Sequence, residues 1–301
     1  MGTLYHQASG RRVRLMARHV VGRAARCDLL LSSPRVSGEH AVLLWTTRWE
    51  VRDLGSRNGT FVGGRRLGVG EVAVLPPGAI LSCGGPSDSW VLDDAGAPEP
   101  MAVWPDGSRA TGRSGMLALP SVEEPLVTLY QDSAGRWVSE SDQGRVPVLD
   151  GQTIEVGPTS CTLRLPEVLP RTSAGEVRQL ADTCLRFTVS HDEEYVRLAL
   201  VDGSSTLDLG SRAYHYLLLT LARARLDDHG SGVELSAQGW VYQDVLVRQL
   251  RVRDALLNNH VHRARTQLSE AGVTDAVELV QRRPSARQLR LGTVNVEIIR
   301  G

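Results

Sequence analysis

Between residues 13 and 92 the chain is a succession of short runs rich in β-branched residues and leucine. Gly, Pro, Ser, Asn and Asp separate these runs at intervals of about eight to twelve residues, which is typical of strands joined by turns. No segment of useful length in this region shows helical periodicity. The pattern therefore predicts an all-β sandwich within residues 1–95. The predicted strands are 12–16, 19–22, 29–31, 41–45, 49–53, 60–62, 79–82 and 90–92.

The composition changes after this region. Gly, Pro, Ala and Ser dominate residues 96–120, which favours a linker. Residues 121–168 return to short apolar runs and predict a small β region, followed by a second linker at 169–180. The sequence leaves open whether the small β region is a separate domain. Its predicted strands are 126–130, 136–139, 152–156 and 162–165.

The last segment, residues 181–301, predicts an α+β domain. Three strands come first, three helices follow, and two further strands flank an arginine-rich turn, which favours a hairpin. The third helix is predicted to stop at Gly272, because glycine readily ends a helix. The predicted strands are 184–189, 195–201, 205–209, 277–281 and 288–291, and the predicted helices are 211–226, 240–250 and 253–271.

The absence of lysine excludes several enzyme classes. All 34 basic residues are arginine, so a Walker-type phosphate loop, a Schiff-base lysine and a kinase-type lysine are impossible. The sequence also lacks a Gly-x-Ser-x-Gly elbow, and its four cysteines stand at no metal-ligand spacing. We therefore expect no enzymatic activity, no cofactor and no metal site.

The net charge of zero conceals a division along the chain. Residues 11–66 carry a net charge of +8, residues 121–170 carry −5, and residues 248–290 carry +5. Basic segments at both ends predict anionic partners there. No segment approaches the roughly 20 apolar residues of a membrane helix, and arginines follow the start without an apolar stretch. We therefore expect a cytoplasmic protein with no membrane partner.

Three short motifs occupy predicted turns of the N-terminal sandwich: Gly22-Arg23, Ser37-Gly-Glu-His40 and Asp53-Leu-Gly-Ser-Arg-Asn-Gly-Thr60. In this order they resemble the forkhead-associated (FHA) domain, over about residues 3–95. The resemblance implies a β-sandwich that binds phosphothreonine peptides through loops at one end. A Ser/Thr kinase would then act upstream, to make the phosphothreonine in a partner protein.

The resemblance also implies a role for each motif residue. A guanidinium suits a phosphate, and a serine hydroxyl adds a donor. A side-chain amide, with a donor and an acceptor, suits a peptide backbone. Glycine permits tight turns. In these roles the resemblance places Arg23 and Ser37 on the phosphate, Asn58 on the peptide, Gly22 and Gly59 in turns, and His40 as a buried brace.

One position departs from the family pattern. The family commonly has arginine directly after the loop serine, whereas this chain has Gly38, followed by Glu39. Losing a cation there weakens phosphate binding, unless Arg35 or Arg57 compensates. The alternative is an FHA fold that binds an unphosphorylated protein or no ligand.

The segment from Leu257 to Leu268 resembles the recognition helix of the winged helix-turn-helix domain of response-regulator transcription factors. At 3.6 residues per turn, one face of this helix is apolar and the opposite face is polar. The resemblance implies that the polar face enters the major groove of double-stranded DNA, while the hairpin forms a wing beside it. The predicted DNA contacts are Asn259, His262, Arg263, Arg265, Thr266, Arg282, Arg283 and Arg287.

Together the two resemblances predict a phosphothreonine-responsive, DNA-binding transcriptional regulator. The alternative is a phospho-dependent adaptor whose winged helix binds protein instead of DNA. Salt distinguishes the two, because DNA contacts through several arginines weaken steeply with added salt.

Overall fold

The computed structural model describes residues 1–85, 88–166, 178–203 and 205–301. These residues divide into two compact units. The N-terminal unit contains residues 1–103, 149–152 and 162–166, and the C-terminal unit contains 104–148, 153–161 and the described residues from 178 onward. Within the described part of the chain, no helix is long and apolar enough to cross a membrane.

The N-terminal unit contains a two-sheet β-sandwich. One sheet has six strands in the order β2-β1-β11-β10-β7-β8, and the other has five in the order β4-β3-β5-β6-β9. All eight predicted strands are present, which confirms the all-β class of this region. The strands are β1 (Thr3–His6), β2 (Arg12–Arg14), β3 (Arg18–Gly22), β4 (Leu29–Leu30), β5 (Ala41–Trp45), β6 (Trp49–Asp53), β7 (Thr60–Val62), β8 (Arg65–Arg66), β9 (Val72–Val74), β10 (Ile80–Cys83) and β11 (Ser89–Asp94).

Alternation along the strands places large apolar side chains between the two sheets. On β6, Trp49, Val51 and Asp53 point inward, while Glu50 and Arg52 are more exposed. Other core residues include Leu4, Leu15, Leu43, Leu81, Trp90 and Leu92, all 3% exposed or less.

Strand register fixes which loops meet. Val21 of β3 pairs with Ala41 of β5, and Ala41 pairs with Asp53 of β6. The end of β3, the start of β5 and the end of β6 therefore lie at one end of the sheet. The β5–β6 turn, which follows the Trp45–Trp49 pair, lies at the opposite end.

The predicted linker at 96–120 is wrong, because it contains three strands: β12 (Met101–Val103), β13 (Arg109–Thr111) and β14 (Leu117–Leu119). Met101 is 2% exposed and Leu119 is fully buried. Two of the three strands are short apolar triplets, which the average composition of a Gly- and Pro-rich segment does not reveal. The predicted second linker, 169–180, lies mostly outside the described residues.

A four-stranded antiparallel sheet, in the order β14-β15-β16-β17, belongs to the C-terminal unit. Thr128 pairs with Glu140 and Tyr130 pairs with Val138 across β15 and β16. The strands that follow β14 are β15 (Val127–Gln131), β16 (Trp137–Ser141), β17 (Gly144–Pro147), β18 (Thr153–Val156) and β19 (Thr159–Arg164). The last three residues of β19 belong to the N-terminal unit, where they pair with β12.

The rest of the C-terminal unit has a four-stranded sheet, in the order β22-β21-β20-β26, three helices and a hairpin. All three helices overlap the predicted ones, although α1 begins and ends four residues later and a short strand, Val241–Tyr242, occupies the predicted start of α2. Strand β26, which pairs in parallel with β20, is not among the predicted strands. The elements are β20 (Cys184–Val189), β21 (Val196–Asp202), β22 (Ser205–Ser211), α1 (His215–Gly230), β23 (Val241–Tyr242), α2 (Gln243–Leu250), α3 (Asp254–Glu270), β24 (Val280–Arg283), β25 (Gln288–Leu291) and β26 (Val296–Arg300).

Candidate functional site

The loop after β3 approaches the loop before β5 very closely. The amide N–H of Arg23 donates to the carbonyl of Ser37 at 2.9 Å, and that of Ala24 donates to the carbonyl of Gly38 at 2.9 Å. A Cβ on Gly22 would lie 2.2 Å from the Gly38 oxygen, so only glycine fits there. Arg23 is exposed, and its Nε donates to the Val36 carbonyl at 3.3 Å.

His40 is fully buried and joins two loops. Its Nδ1 accepts from the Ser37 amide at 3.0 Å, and its Nε2 lies 3.1 Å from the Gly59 carbonyl. An amide can only donate and a carbonyl can only accept, so the proton belongs on Nε2. Burial lowers the pKa of His40, which keeps this tautomer neutral. His40 therefore joins the Ser37 loop to the Gly59 loop.

Asp53 organises the loop after β6, a role that sequence reasoning had missed. Its carboxylate accepts from the Gly55 and Ser56 amides at 2.8 and 2.9 Å. It also accepts from the hydroxyls of Ser56 and Thr60, both at 2.6 Å. Burial opposes ionisation, but these hydrogen bonds hold the pKa of Asp53 below its ordinary value. The loop is therefore fastened to the end of a core strand.

The same loop is attached to the Ser37 loop. The Arg57 amide donates to Ser37 Oγ at 3.2 Å, and Asn58 Nδ2 donates to the Arg35 carbonyl at 2.7 Å. Ser37 and Asn58 are half-buried, whereas the side chains of Arg23, Arg35 and Arg57 are exposed. The structure thus brings the predicted phosphopeptide residues together, on loops that hydrogen bonds hold rigid. Exposed guanidinium groups beside a half-buried hydroxyl and a half-buried amide suit an anionic peptide.

Glu39 is neutralised by a neighbour. Its Oε1 lies 2.6 Å from Nε of Arg26, and both side chains are exposed. At Gly38 the space is open, because a Cβ would meet its nearest heavy atom, on Ala24, at 4.0 Å. The departure from the family pattern is therefore a missing cation, without an added unpaired acid.

The predicted DNA-binding face of α3 differs from expectation. Leu257, Val261, Ala264 and Leu268 form the buried inner face, as the helical wheel predicted. However, three residues expected to reach DNA are also buried: Asn259 is 3% exposed, His262 5% and Arg265 1%. The wheel identified the apolar face correctly, but it contained no information about a second layer of protein over part of the polar face, where Arg263 stays exposed.

Four side chains converge on Glu140 of β16. Its carboxylate accepts from Arg265 at 2.8 Å, from Arg145 at 2.8 Å and from the Tyr130 hydroxyl at 2.6 Å, and it lies 3.3 Å from Nε of Arg282. Burial opposes ionisation, but Arg265 and Arg282 hold the pKa of Glu140 far below its ordinary value. Sequence reasoning had missed this cluster.

The remaining predicted DNA contacts vary in exposure. Arg263 and Arg287 are exposed, and Thr266 is half-buried. Arg282 was expected on the wing surface, but its side chain is only 12% exposed because it turns toward Glu140. Arg283 stacks on Trp240, with its guanidinium carbon 4.1 Å from the ring centroid. Burial lowers the pKa of His262 to about 4, and the nearby Arg265 adds to this effect.

The N-terminal geometry defines a class of protein, a β-sandwich whose joined loops at one end present groups for an anionic peptide. Residues 19–84 match the FHA domain family, and the chain therefore contains an FHA domain near its N-terminus. FHA domains bind phosphothreonine peptides. No curated protein sequence matches the chain.

Several solved structures are similar to the chain over about a third of its length. EmbR of Mycobacterium tuberculosis, in complex with a low-affinity phosphopeptide, is 28% identical over 32% of this chain and 25% of its own, with a TM-score of 0.29. This chain therefore spans a quarter of EmbR. The FHA domain of CT664 from Chlamydia trachomatis is 25% identical over 31% of this chain and 96% of its own, with a TM-score of 0.28. Rv1747 FHA-1 of Mycobacterium tuberculosis is 26% identical over 32% of this chain and 96% of its own, with a TM-score of 0.26.

Proposed function

We propose that the chain is a phosphothreonine-dependent regulator without catalytic activity, whose FHA domain docks onto a protein phosphorylated by a Ser/Thr kinase. The observation that carries the proposal is the junction of three loops. Hydrogen bonds through His40, Asn58 and Ser37 hold these loops together. In the proposed complex, Arg23 and Ser37 bind the phosphate and Asn58 binds the peptide backbone. Arg35 and Arg57 supply the positive charge that Gly38 lacks.

Restoring a cation at position 38 is expected to tighten phosphopeptide binding. The site is open and the backbone is outside the left-handed region, so Gly38→Arg fits without strain. An exposed ion pair contributes at most about 1 kcal/mol, which corresponds to an increase in affinity of roughly twofold to fivefold. Fluorescence anisotropy with a labelled phosphothreonine peptide measures the change, and Gly38→Ala is the uncharged control. Equal affinities for the two variants would contradict a phosphate at this loop.

We further propose that residues 181–301 form a winged helix-turn-helix domain that binds promoter DNA. The order of a small sheet, three helices and a hairpin supports this proposal, as do the exposed arginines Arg263 and Arg287. Arginines in these positions suit phosphate contacts beside the major groove.

Salt-dependent binding to DNA tests the second proposal. The full chain is titrated against a labelled duplex from the DNA upstream of its gene and against a scrambled duplex. Replacing both Arg263 and Arg287 with alanine is expected to weaken binding and to lower the salt slope by about 2. Arg223→Ala is the matched control, because Arg223 is on α1 and pairs with Glu193 at 2.9 Å.

A further arm of this titration uses Glu140→Gln, since Glu140 holds Arg265 in the interior. Binding by neither the wild-type chain nor this variant at low salt would overturn the DNA proposal. The second candidate would then apply, a phospho-dependent adaptor whose winged helix binds protein. One observation favours it, because Asn259 and Arg265 already contact protein atoms.

A further inference from the structure

We infer that the β14–β17 sheet is a releasable cover on the DNA-binding face of α3, so that the structure represents a closed state of the regulator. The inference rests on the proposed DNA-binding function of the same helix. It adds an intramolecular partner for that face and a means of controlling access to it.

The contacts follow one side of α3, which carries Asn259, Arg265 and Ser269. Arg265 lies one turn after Val261, at the border of the buried inner face, and Arg263 stays exposed. Asn259 donates to the carbonyl of Val122, in the loop between β14 and β15. Two turns further along, Arg265 binds Glu140. Near the end of the helix, Ser269 donates to the Ser114 carbonyl at 3.1 Å. The sheet and its loops therefore contact α3 along most of its length.

The centre of this contact consists of charged side chains that are buried from solvent. Arg265 is 1% exposed and Glu140 is 5% exposed. The Arg265 guanidinium carbon also lies 5.5 Å from the Tyr130 ring centroid, and Tyr130 is fully buried. Arg265 donates to Glu140 at 2.8 Å and to the Val280 carbonyl at 2.6 Å. Glu140 supplies the compensating charge, because an unpaired charge in the interior is strongly unfavourable. The sheet therefore supplies to α3 a negative group where DNA would supply a phosphate.

The edges of the contact carry further ion pairs of the same kind. Arg145 of β17 reaches Glu278 at 2.9 Å, and Arg113 reaches Glu270 of α3 at 2.5 Å. The Glu278 pair is partly exposed and the Arg113 side chain is 78% exposed, so water and salt weaken both pairs. A contact made of one buried carboxylate and two screened pairs is stable when assembled and depends strongly on Glu140.

The cover and the duplex require the same side chains, so they exclude each other. Asn259 and Arg265 cannot contact base edges or phosphates while they bind Val122 and Glu140. Residues 121–148 carry five acids and two arginines, a net charge of −3, and they contact the basic segment 248–290 through Val122 and Glu140. This part of the C-terminal unit is therefore an acidic competitor for DNA.

Removing the Glu140 charge while retaining its shape tests the inference. In Glu140→Gln the cover is expected to open more often, and the affinity of the full chain for the labelled upstream duplex is expected to rise about 5- to 150-fold, the usual range of coupling between two sites. Opening is measured independently of DNA by the rate at which diethylpyrocarbonate modifies His262. This ring is 5% exposed, and its Nδ1 lacks a hydrogen-bond partner among the described residues. Exposed His191 serves as the internal reference.

Two control variants distinguish opening of the cover from a general change in net charge and from a failure to fold. Glu155→Gln removes the same charge from an exposed position in the C-terminal unit, and is expected to change neither readout. If Glu140→Gln does not fold, Arg145→Ala replaces it, because Arg145 links β17 to both Glu140 and Glu278. Its matched control is Arg136→Ala, in the β15–β16 turn, where Arg136 forms a local ion pair with Asp132 at 2.7 Å.

The outcomes distinguish this inference from the proposed function. Faster His262 modification together with tighter DNA binding supports both. Faster modification with no DNA binding by any protein supports the cover and overturns the DNA-binding function. The third outcome is that the wild-type chain and the variant bind DNA equally well and His262 is equally unreactive in both. This outcome supports the DNA-binding function and overturns the inference of a releasable cover.

Discussion

Replacing Arg23 with alanine is expected to weaken the binding of a phosphothreonine peptide by about 10- to 150-fold. A hydrogen bond to a charged group contributes roughly 1.5–3 kcal/mol, and the phosphate is doubly charged near neutral pH. The Arg23 side chain is exposed, and its hydrogen bond among the described residues is to the Val36 carbonyl, at 3.3 Å. The variant should therefore lose affinity without losing stability. Isothermal titration calorimetry and thermal unfolding measure the two effects separately.

Arg48→Ala is the matched control for Arg23→Ala. Arg48 belongs to the same FHA domain, but it precedes β6 in the turn at the opposite end of the sheet, where its Nε lies 3.4 Å from Glu50. Its removal takes one positive charge from the domain without touching the joined loops. Equal losses of affinity in the two variants would attribute the effect to net charge and would remove Arg23 from the site.

Replacing Asp53 with alanine is expected to lower the free energy of unfolding of the FHA domain by on the order of 3 kcal/mol. The carboxylate is 2% exposed and accepts four hydrogen bonds, and its loss leaves buried donors without partners. The Gly59 amide bonds to the Ser56 hydroxyl at 3.0 Å, so the displacement would extend to Asn58. Hydrogen exchange of peptides from residues 40–62, measured in the full chain, reports this loss for the N-terminal unit alone.

The pH dependence of that stability provides the control. The pKa of Asp53 is lowered in the folded state, so its contribution is present above the ordinary carboxyl pKa and is lost as pH falls through the folded value. The wild-type domain should therefore lose stability below about pH 4 more steeply than Asp53→Ala does. Parallel pH profiles for the two proteins would show that the carboxylate does not hold the loop.

The N-terminal sandwich was predictable because the local strand patterns and turn residues of its sequence agree with its tertiary structure. Alternation on β6, the continuous apolar run of β5 and the turn residues between strands agree with the pairing, so the strand positions followed directly. The short strands β1, β8 and β9 were missed, as was the role of Asp53. A carboxylate at the inward position of β6, after Trp49 and Val51, was the available signal for that role.

The second layer on α3 could not be predicted from the helix sequence. A helical wheel ranks the faces of one helix, but it cannot show that a sheet from residues 117–147 lies against the polar face. Glu140 carried the only local signal, because it shares an inward face of β16 with buried Val138. Acidic residues are rarely buried unless they are paired, so this position indicated a partner without identifying it.

The central claim is that the FHA domain reads phosphothreonine, and its most direct test is a pair of titrations. An oriented library of phosphothreonine peptides identifies the tightest binder, which is then resynthesised with phosphothreonine or threonine at the same position. Calorimetry of the full chain is predicted to give saturable binding to the phosphorylated peptide and a loss of at least about tenfold without the phosphate. Equal binding of the two peptides, or failure of the library to select any sequence, would contradict the account.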